Sequence, residues 1–291
     1  MSEIVTEEKT QFETVIEPKS KLFDLNLKEL WKYRDLMLLF VKRNFISQYK
    51  QTILGPAWAV IQPLLTTVVF TVVFGGIAKL APGGVNSFVY YLCGNVVWGY
   101  FSSCLTMTSS TFTANSHIFG KVYFPRLVLP ISTVMTNLIS LAIQFSFFLV
   151  AWGIFMFMPG NVMAPGWQIA LFPLLIIEMA MLSLGCGIIV SALTTKYRDL
   201  AMLVSFGVQL WMYASPVAYS ATMFSGSRWE ALYWCNPMAP IVETVRYAFM
   251  GSAAAQFRPV FLLISAGTTL VILTIGVLLF GKVEKTFMDT V

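Results

Sequence analysis

Five long stretches carry no Asp, Glu, Lys or Arg: 51–78, 80–120, 127–177, 200–227 and 259–281. Each is long enough for the roughly 20 apolar residues that cross a hydrocarbon core. The stretch 127–177 is too long for one crossing, and "MPGNVMAPG" (158–166) divides it with two prolines and two glycines. The short charged loop "TTKYRDL" (194–200) makes a further break. The pattern predicts six membrane-spanning helices near 57–78, 87–112, 129–157, 168–193, 200–218 and 259–280, an all-α membrane protein.

Upstream of the first span, "NLKELWKYRDLMLLFVKRNFISQYK" reads as one helix. Leu27, Leu30, Trp31, Leu38, Val41, Phe45 and Tyr49 fall on a stripe of 3.6-residue period, with Lys32 and Arg43 opposite. Arg34 intrudes on that stripe, and Leu36 and Phe40 leave it. The prediction is an amphipathic helix lying in the membrane interface. At Gly55-Pro56 the chain turns, because glycine adopts backbone angles closed to other residues and proline starts a helix without losing a needed N–H bond.

Between the fifth and sixth spans, residues 220–258 are too apolar for a free loop, yet Arg228, Glu230, Glu243 and Arg246 interrupt any crossing. Two short helices that dip into the membrane from one side fit best, the second starting at Asn236-Pro237 and stopping at Gly251. The resulting organisation is a polar, acidic tail (1–26), the interfacial helix (27–54), a six-span domain (55–285) and a short C-terminus (286–291). The tail has no basic start followed by an apolar core, so no cleavable signal is expected.

Composition agrees: 57% of residues are hydrophobic and 11% charged, against about 25% charged in soluble domains. Six spans put both termini on one side. With that side cytoplasmic, Lys121, Arg126, Lys196, Arg198, Lys282 and Lys285 join the nine basic residues before Pro56. Only Lys79, Arg228, Arg246 and Arg258 then lie outside, as the positive-inside rule requires.

Candidate chemistry is sparse. One histidine, His117, excludes a histidine-based metal cluster. Cys93, Cys104, Cys186 and Cys235 lack metal-ligand spacing and read as small hydrophobes. "GVLLFGKV" (276–283) begins like a phosphate-binding loop but lacks the Ser/Thr after Lys282 and ends an apolar helix. Glu178 is the one acid well inside a span, where it must face protein or water, as a proton-coupling group, a hydrogen-bonded packing partner or a cavity lining. Trp167 and Trp229 read as interface anchors. Trp58, Tyr90, Tyr91, Trp98, Tyr100, Trp211 and Tyr213 sit deeper, and such rings form either span-to-span packing or a channel lining on which sugar C–H faces stack.

In order along the chain, "YKQTILGPAWAVIQPLL", "GKVYFPRLVLPIS", "KYRDL", "YASPVAYS" and "NPMAPIVETVR" resemble the permease subunit of ABC-2 type polysaccharide exporters, over about residues 27–285. That group moves lipid-linked O-antigen, capsule or teichoic acid chains across the bacterial inner membrane. The resemblance implies a non-enzymatic homodimer with a channel between its copies. It also implies two separate ATPase subunits that hold ATP and Mg, leaving this chain without a cofactor. Membrane lipids and lipid-linked polysaccharide would be its other partners, and nucleic acid would not. By the same likeness His117, Phe119, Lys121, Tyr123 and Arg126, with Arg198 and Asp199, would meet the ATPases. Arg43, Lys50, Gly55, Pro56 and Trp58 would form a gate for the lipid diphosphate, and Arg228, Glu230, Glu243 and Arg246 an external gate. A permease of the same superfamily that exports a drug or small lipid is the alternative reading. A membrane-embedded glycan enzyme lacks its acid or histidine constellation, and a secondary transporter would have Glu178 alone for coupling.

Overall fold

The computed structural model describes residues 27–115, 124–196 and 199–286. Every regular element among them is helical. Four segments are long and apolar enough to cross a membrane: Gly55–Ile77, Val128–Met156, Trp167–Thr194 and Pro259–Val283. The second predicted span is a helix of 23 residues, α4 (Ser87–Ser109), held at its start by the Asn86 side chain, which accepts from Phe88 N at 2.9 Å. It is less apolar than the four, and few of its residues reach the surface of the chain. Sixteen of its residues are buried, and it forms the centre of the bundle, against α3 (Trp58–Phe70), α6 (Val128–Met156) and α7 (Phe172–Lys196), and is followed by the single turn α5 (Thr111–Ala114). The fifth predicted span is only 15 residues, α8 (Leu200–Ala214).

Close helix approach explains the rest of the packing. Where α7 meets α11 (Pro259–Thr286), a Cβ on Gly185 would lie 2.9 Å from the Leu273 backbone, and one on Gly276 would lie 2.7 Å from the Gly185 carbonyl. Small residues let backbones touch, which is how helices associate where apolar surface gains nothing by leaving lipid. A Cβ on Gly187 would likewise meet Thr108 of α4. Across α3 and α4, Asn95 Nδ2 donates to Thr67 Oγ1 at 3.0 Å, and Thr67 donates in turn to the Pro63 carbonyl at 2.7 Å.

The N-terminal helix departs from its predicted stripe. It consists of α1 (Leu27–Lys32) and α2 (Arg34–Tyr49), joined at Tyr33. Met37 and Phe40 are the residues it buries, packed with Leu30, Tyr33 and Leu36 against Phe112, Phe124, Val128 and Phe280. The two residues that left the stripe, Leu36 and Phe40, thus lie on the docking face. Leu38 and Trp31, placed on it, are exposed. The helix is apolar on two sides, one against its own chain and one outward through Trp31, Leu38, Leu39 and Ile46. No single period describes that.

The segment between α8 and α11 holds the two short helices the sequence predicts, α9 (Glu230–Cys235) and α10 (Met238–Met250). Asn236 Oδ1 accepts from Met238 N at 3.1 Å, the expected start, and Gly251 at φ 78° ends α10. That left-handed angle favours glycine, and a Cβ there would press on the Ala164 carbonyl. α10 is almost wholly buried, charges included. Arg246 donates through Nη1 to Tyr90 Oη at 2.8 Å and to the Pro216 carbonyl, and through Nη2 to the Val217 carbonyl at 2.8 Å. Its guanidinium also lies 3.8 Å from the centre of the Tyr90 ring. One turn earlier, Glu243 Oε2 accepts from Gln256 N at 3.0 Å and Oε1 from Ala221 N at 3.3 Å. Gly94 of α4 faces the guanidinium so closely that a Cβ would overlap it.

Removing one partner of a buried charge network costs about 3–5 kcal/mol. Arg246→Ala should therefore abolish or sharply lower the yield of folded protein in detergent. Arg246→Lys should not restore it, since an ammonium cannot reproduce the planar fork. Gly94→Leu should fail in the same way. Thermal unfolding of Arg246→Ala within a degree or two of wild type would contradict this account of the core.

Candidate substrate cleft

The sequence directs α8 and α9 toward one another. Ser215 to Ala218 turn the chain back under Arg246, and Asn236 ties the end of α9 to the end of α8. Its Nδ2 donates to the Ala214 carbonyl at 3.1 Å and Ser215 Oγ at 2.9 Å, and its Oδ1 accepts from Trp211 Nε1 at 3.0 Å. Between them opens a cleft of about 500 Å³, lined chiefly by Trp211, Tyr219, Trp229, Leu232, Tyr233 and Asn236. No charged side chain among the described residues lines it. Tyr233 Oη donates to Glu243 at 3.4 Å, and Tyr219 Oη donates to the Tyr213 carbonyl at 3.0 Å. Much of the lining's hydrogen-bonding capacity is thus spent inside the protein. What the cleft offers a visitor is mainly aromatic faces.

A clasp lies beside this region, at the residue that follows Trp229. Arg258 Nη1 lies 2.7 Å from Glu230 Oε1, and Gly226 N donates to Glu230 Oε2 at 2.8 Å. The guanidinium of Arg258 sits 5.1 Å from the Trp234 ring, which stacks on Phe261 with centroids 5.1 Å apart. The Gly226 N–H first, and Arg258 after it, hold the Glu230 carboxyl below its ordinary range.

The predicted site residues separate into groups. Tyr90, Tyr91, Trp98 and Tyr100, expected on a channel wall, are buried in the core of the chain, so the packing alternative describes them in this conformation. Trp211 is half-buried at the cleft and Tyr213 is 47% exposed beside it. Of the four expected external-gate residues, Arg228 is exposed and Glu230 forms the clasp, whereas Glu243 and Arg246 are completely buried scaffold. At the membrane-entry seam Arg43 is exposed, its side chain 4.7 Å over the Phe40 ring and bonded to Asn44 Oδ1. Lys50, Pro56 and Trp58 are exposed, and Gly55 adopts φ 52°. His117, Phe119, Lys121, Tyr123 and Arg198 lie outside the described residues. Arg126 is buried, and Asp199 is exposed at the foot of α8.

Sequence reasoning passed over Arg258 and Tyr219. Charge balance held the signal for the first: Glu230 is the one acid between Asp199 and Glu243, and Arg258 is the last cation before the final span.

A depressed carboxylate pKa means the clasp is intact above the ordinary carboxylate range and is lost as pH falls through the depressed value. Glu230→Gln should therefore raise the labelling rate of Cys235, which is exposed and borders the cleft, several-fold at neutral pH with dithiodipyridine. Wild type should show the same rise only on acidification below that range. Equal rates for variant and wild type at neutral pH would rule out the clasp as a restraint on the cleft.

Known proteins place the whole arrangement. The chain is 28% identical over 256 residues to the O-antigen export system permease protein RfbA of Klebsiella pneumoniae, covering 88% of this chain and 94% of that protein. The Myxococcus xanthus protein of the same name is 26% identical, covering 91% and 98%. The polysialic acid transport protein KpsM of Escherichia coli is 24% identical, covering 85% and 93%. Residues 35–250, which include nearly all of α2, the central α4 and the buried α10, match the ABC-2 type transporter family, and the chain belongs to that family.

Proposed function

We propose that this chain is the membrane subunit of an ATP-driven exporter that moves an O-antigen-like polysaccharide, carried on a polyprenyl diphosphate, across the bacterial inner membrane. The observation that carries the reading is the uncharged cleft framed by Trp211, Tyr219, Trp229 and Tyr233. Similarity over nearly the whole chain to permeases named for O-antigen export supports it. Aromatic faces stack on sugar C–H faces, and with much of its polar capacity already engaged such a lining holds a glycan without gripping it.

In this reading the chain crosses the membrane six times with both termini cytoplasmic, α4 and α8 joining the four more apolar spans. Residues 27–54 lie in the cytoplasmic interface, and α9 and α10 form a re-entrant hairpin within the 55–285 transmembrane domain. Residues 1–26 and 286–291 are cytoplasmic ends. Two copies pair to enclose the channel, and each meets one ATPase through the 117–126 segment and the Arg198-Asp199 loop. ATP and Mg stay on the ATPase. Arg43 and Lys50 stand at the exposed seam beside Gly55, Pro56 and Trp58. There their charge suits a lipid diphosphate at headgroup level. The external gate reduces to the Glu230–Arg258 clasp, with Glu243 and Arg246 as its buried support.

In cells lacking the chromosomal copy, wild type should restore surface polysaccharide. Arg43→Glu combined with Lys50→Glu should lose most of it while the permease still copurifies with its ATPase. Trp211→Ala with Trp229→Ala should slow export and spare assembly. Full export by the charge-reversed pair would remove the seam as the diphosphate gate, and full export by the aromatic pair would remove the cleft from the path.

A further inference from the structure

Glu178 lies inside the third of the long apolar segments and is 8% exposed. Its one hydrogen-bond partner among the described residues is Ser265 of α11, whose Oγ lies 2.6 Å from Glu178 Oε1. The same Oγ lies 2.7 Å from the carbonyl oxygen of Pro237, the residue that opens α10. A serine hydroxyl carries one hydrogen, and a proline carbonyl only accepts. If Glu178 were ionised, Ser265 would face two acceptors with a single proton, leaving one pair of oxygens in contact with nothing between them. A second proton resolves the geometry, and only the carboxyl can carry it.

We propose that Glu178 is a neutral hydrogen-bond donor at the head of a relay in which its carboxyl donates to Ser265 Oγ and Ser265 donates to the Pro237 carbonyl. The charges on the elements packed around it are engaged elsewhere. On α10, Arg246 serves the 216–217 carbonyls and Glu243 the 221 and 256 amides. Arg258, just before α11, holds Glu230. Lys282 lies at the far end of α11, and α4 contributes Tyr100 and Cys104, both buried. None of these supplies an ion pair for a carboxylate at position 178.

The relay joins three elements. α7 and α11 are fixed to each other by their glycine contacts, and the relay fastens the turn at Pro237 onto that pair. Pro237 and the neighbouring Asn236 border the cleft. Glu178 is therefore a positioning residue for the floor of the cleft. Its consequence for transport rests on the polysaccharide reading, whereas its protonation does not.

Infrared spectroscopy on the purified full-length chain in lipid nanodiscs at neutral pH tests the protonation directly. The expected result is the carbonyl stretch of a protonated carboxylic acid that disappears in Glu178→Gln and shifts in Ser265→Ala. Glu178→Gln keeps a neutral donor, so it should retain thermal stability and surface polysaccharide close to wild type, while Glu178→Leu should lose most of both. Absence of a band assignable to Glu178 would overturn the proposal. So would a Glu178→Gln variant as damaged as Glu178→Leu, because that result requires the carboxylate itself. Failure of the wild type to support any polysaccharide export would refute the transport reading and leave the spectroscopic result to stand or fall by itself.

Discussion

A fully buried guanidinium needs acceptors around it, and that requirement organises the part of this protein that holds α9 and α10. Arg246 takes its acceptors from the chain segment leaving α8 and from Tyr90 of the central helix. Because the Tyr90 hydroxyl also donates to the Tyr219 carbonyl at 3.0 Å, helix α4, the 216–219 turn and α10 form one hydrogen-bonded unit. Glu243 extends it to the 221 and 256 backbones. The two charges lie one turn apart on the same helix without forming an ion pair; dipoles hold the Glu243 carboxylate and both Nη atoms of Arg246, while Arg246 Nε has no partner among the described residues. Such an arrangement is expensive to break and has a single geometry. It gives the two short helices between α8 and α11 a fixed place to sit, and so gives the aromatic cleft beside them fixed walls.

This division of labour explains why charge in the hairpin was readable as significant but not as to role. The sequence shows four charged residues interrupting an apolar stretch, and the family resemblance implies a gate there. The structure assigns Glu243 and Arg246 to the interior and leaves Glu230 to the surface, paired with Arg258. Nothing in the local pattern separates the two cases, because the carbonyl acceptors of Arg246 come from residues some thirty positions upstream and its hydroxyl acceptor from α4. The elements set by local backbone chemistry were legible. The turn at Gly55-Pro56, the helix start at Asn236-Pro237 and the stop at Gly251 all occur where glycine, proline and asparagine require them.

Helix faces were harder to read. A stripe can be recognised when one side of a helix meets water, but α2 presents apolar residues to its own chain and to its surroundings at once. The same difficulty applies to α4. Its tyrosines and tryptophan have the composition of a sugar-stacking wall, yet a helix packed among other helices over most of its surface buries those rings. Ring content marks neither a core nor a channel until the neighbours are known. The cleft became visible through Tyr219, Trp229 and Tyr233, which lie far apart from α4 in sequence and converge only when Arg246 folds the chain back.

A transporter's cargo is most directly identified by what accumulates when the transporter is missing. The decisive measurement is to deplete this chain in its own cells and fractionate the lipid-linked glycans. The account predicts a pool of long lipid-linked polysaccharide on the cytoplasmic side of the membrane, together with its loss from the cell surface. Unchanged surface polysaccharide with no internal pool would contradict it.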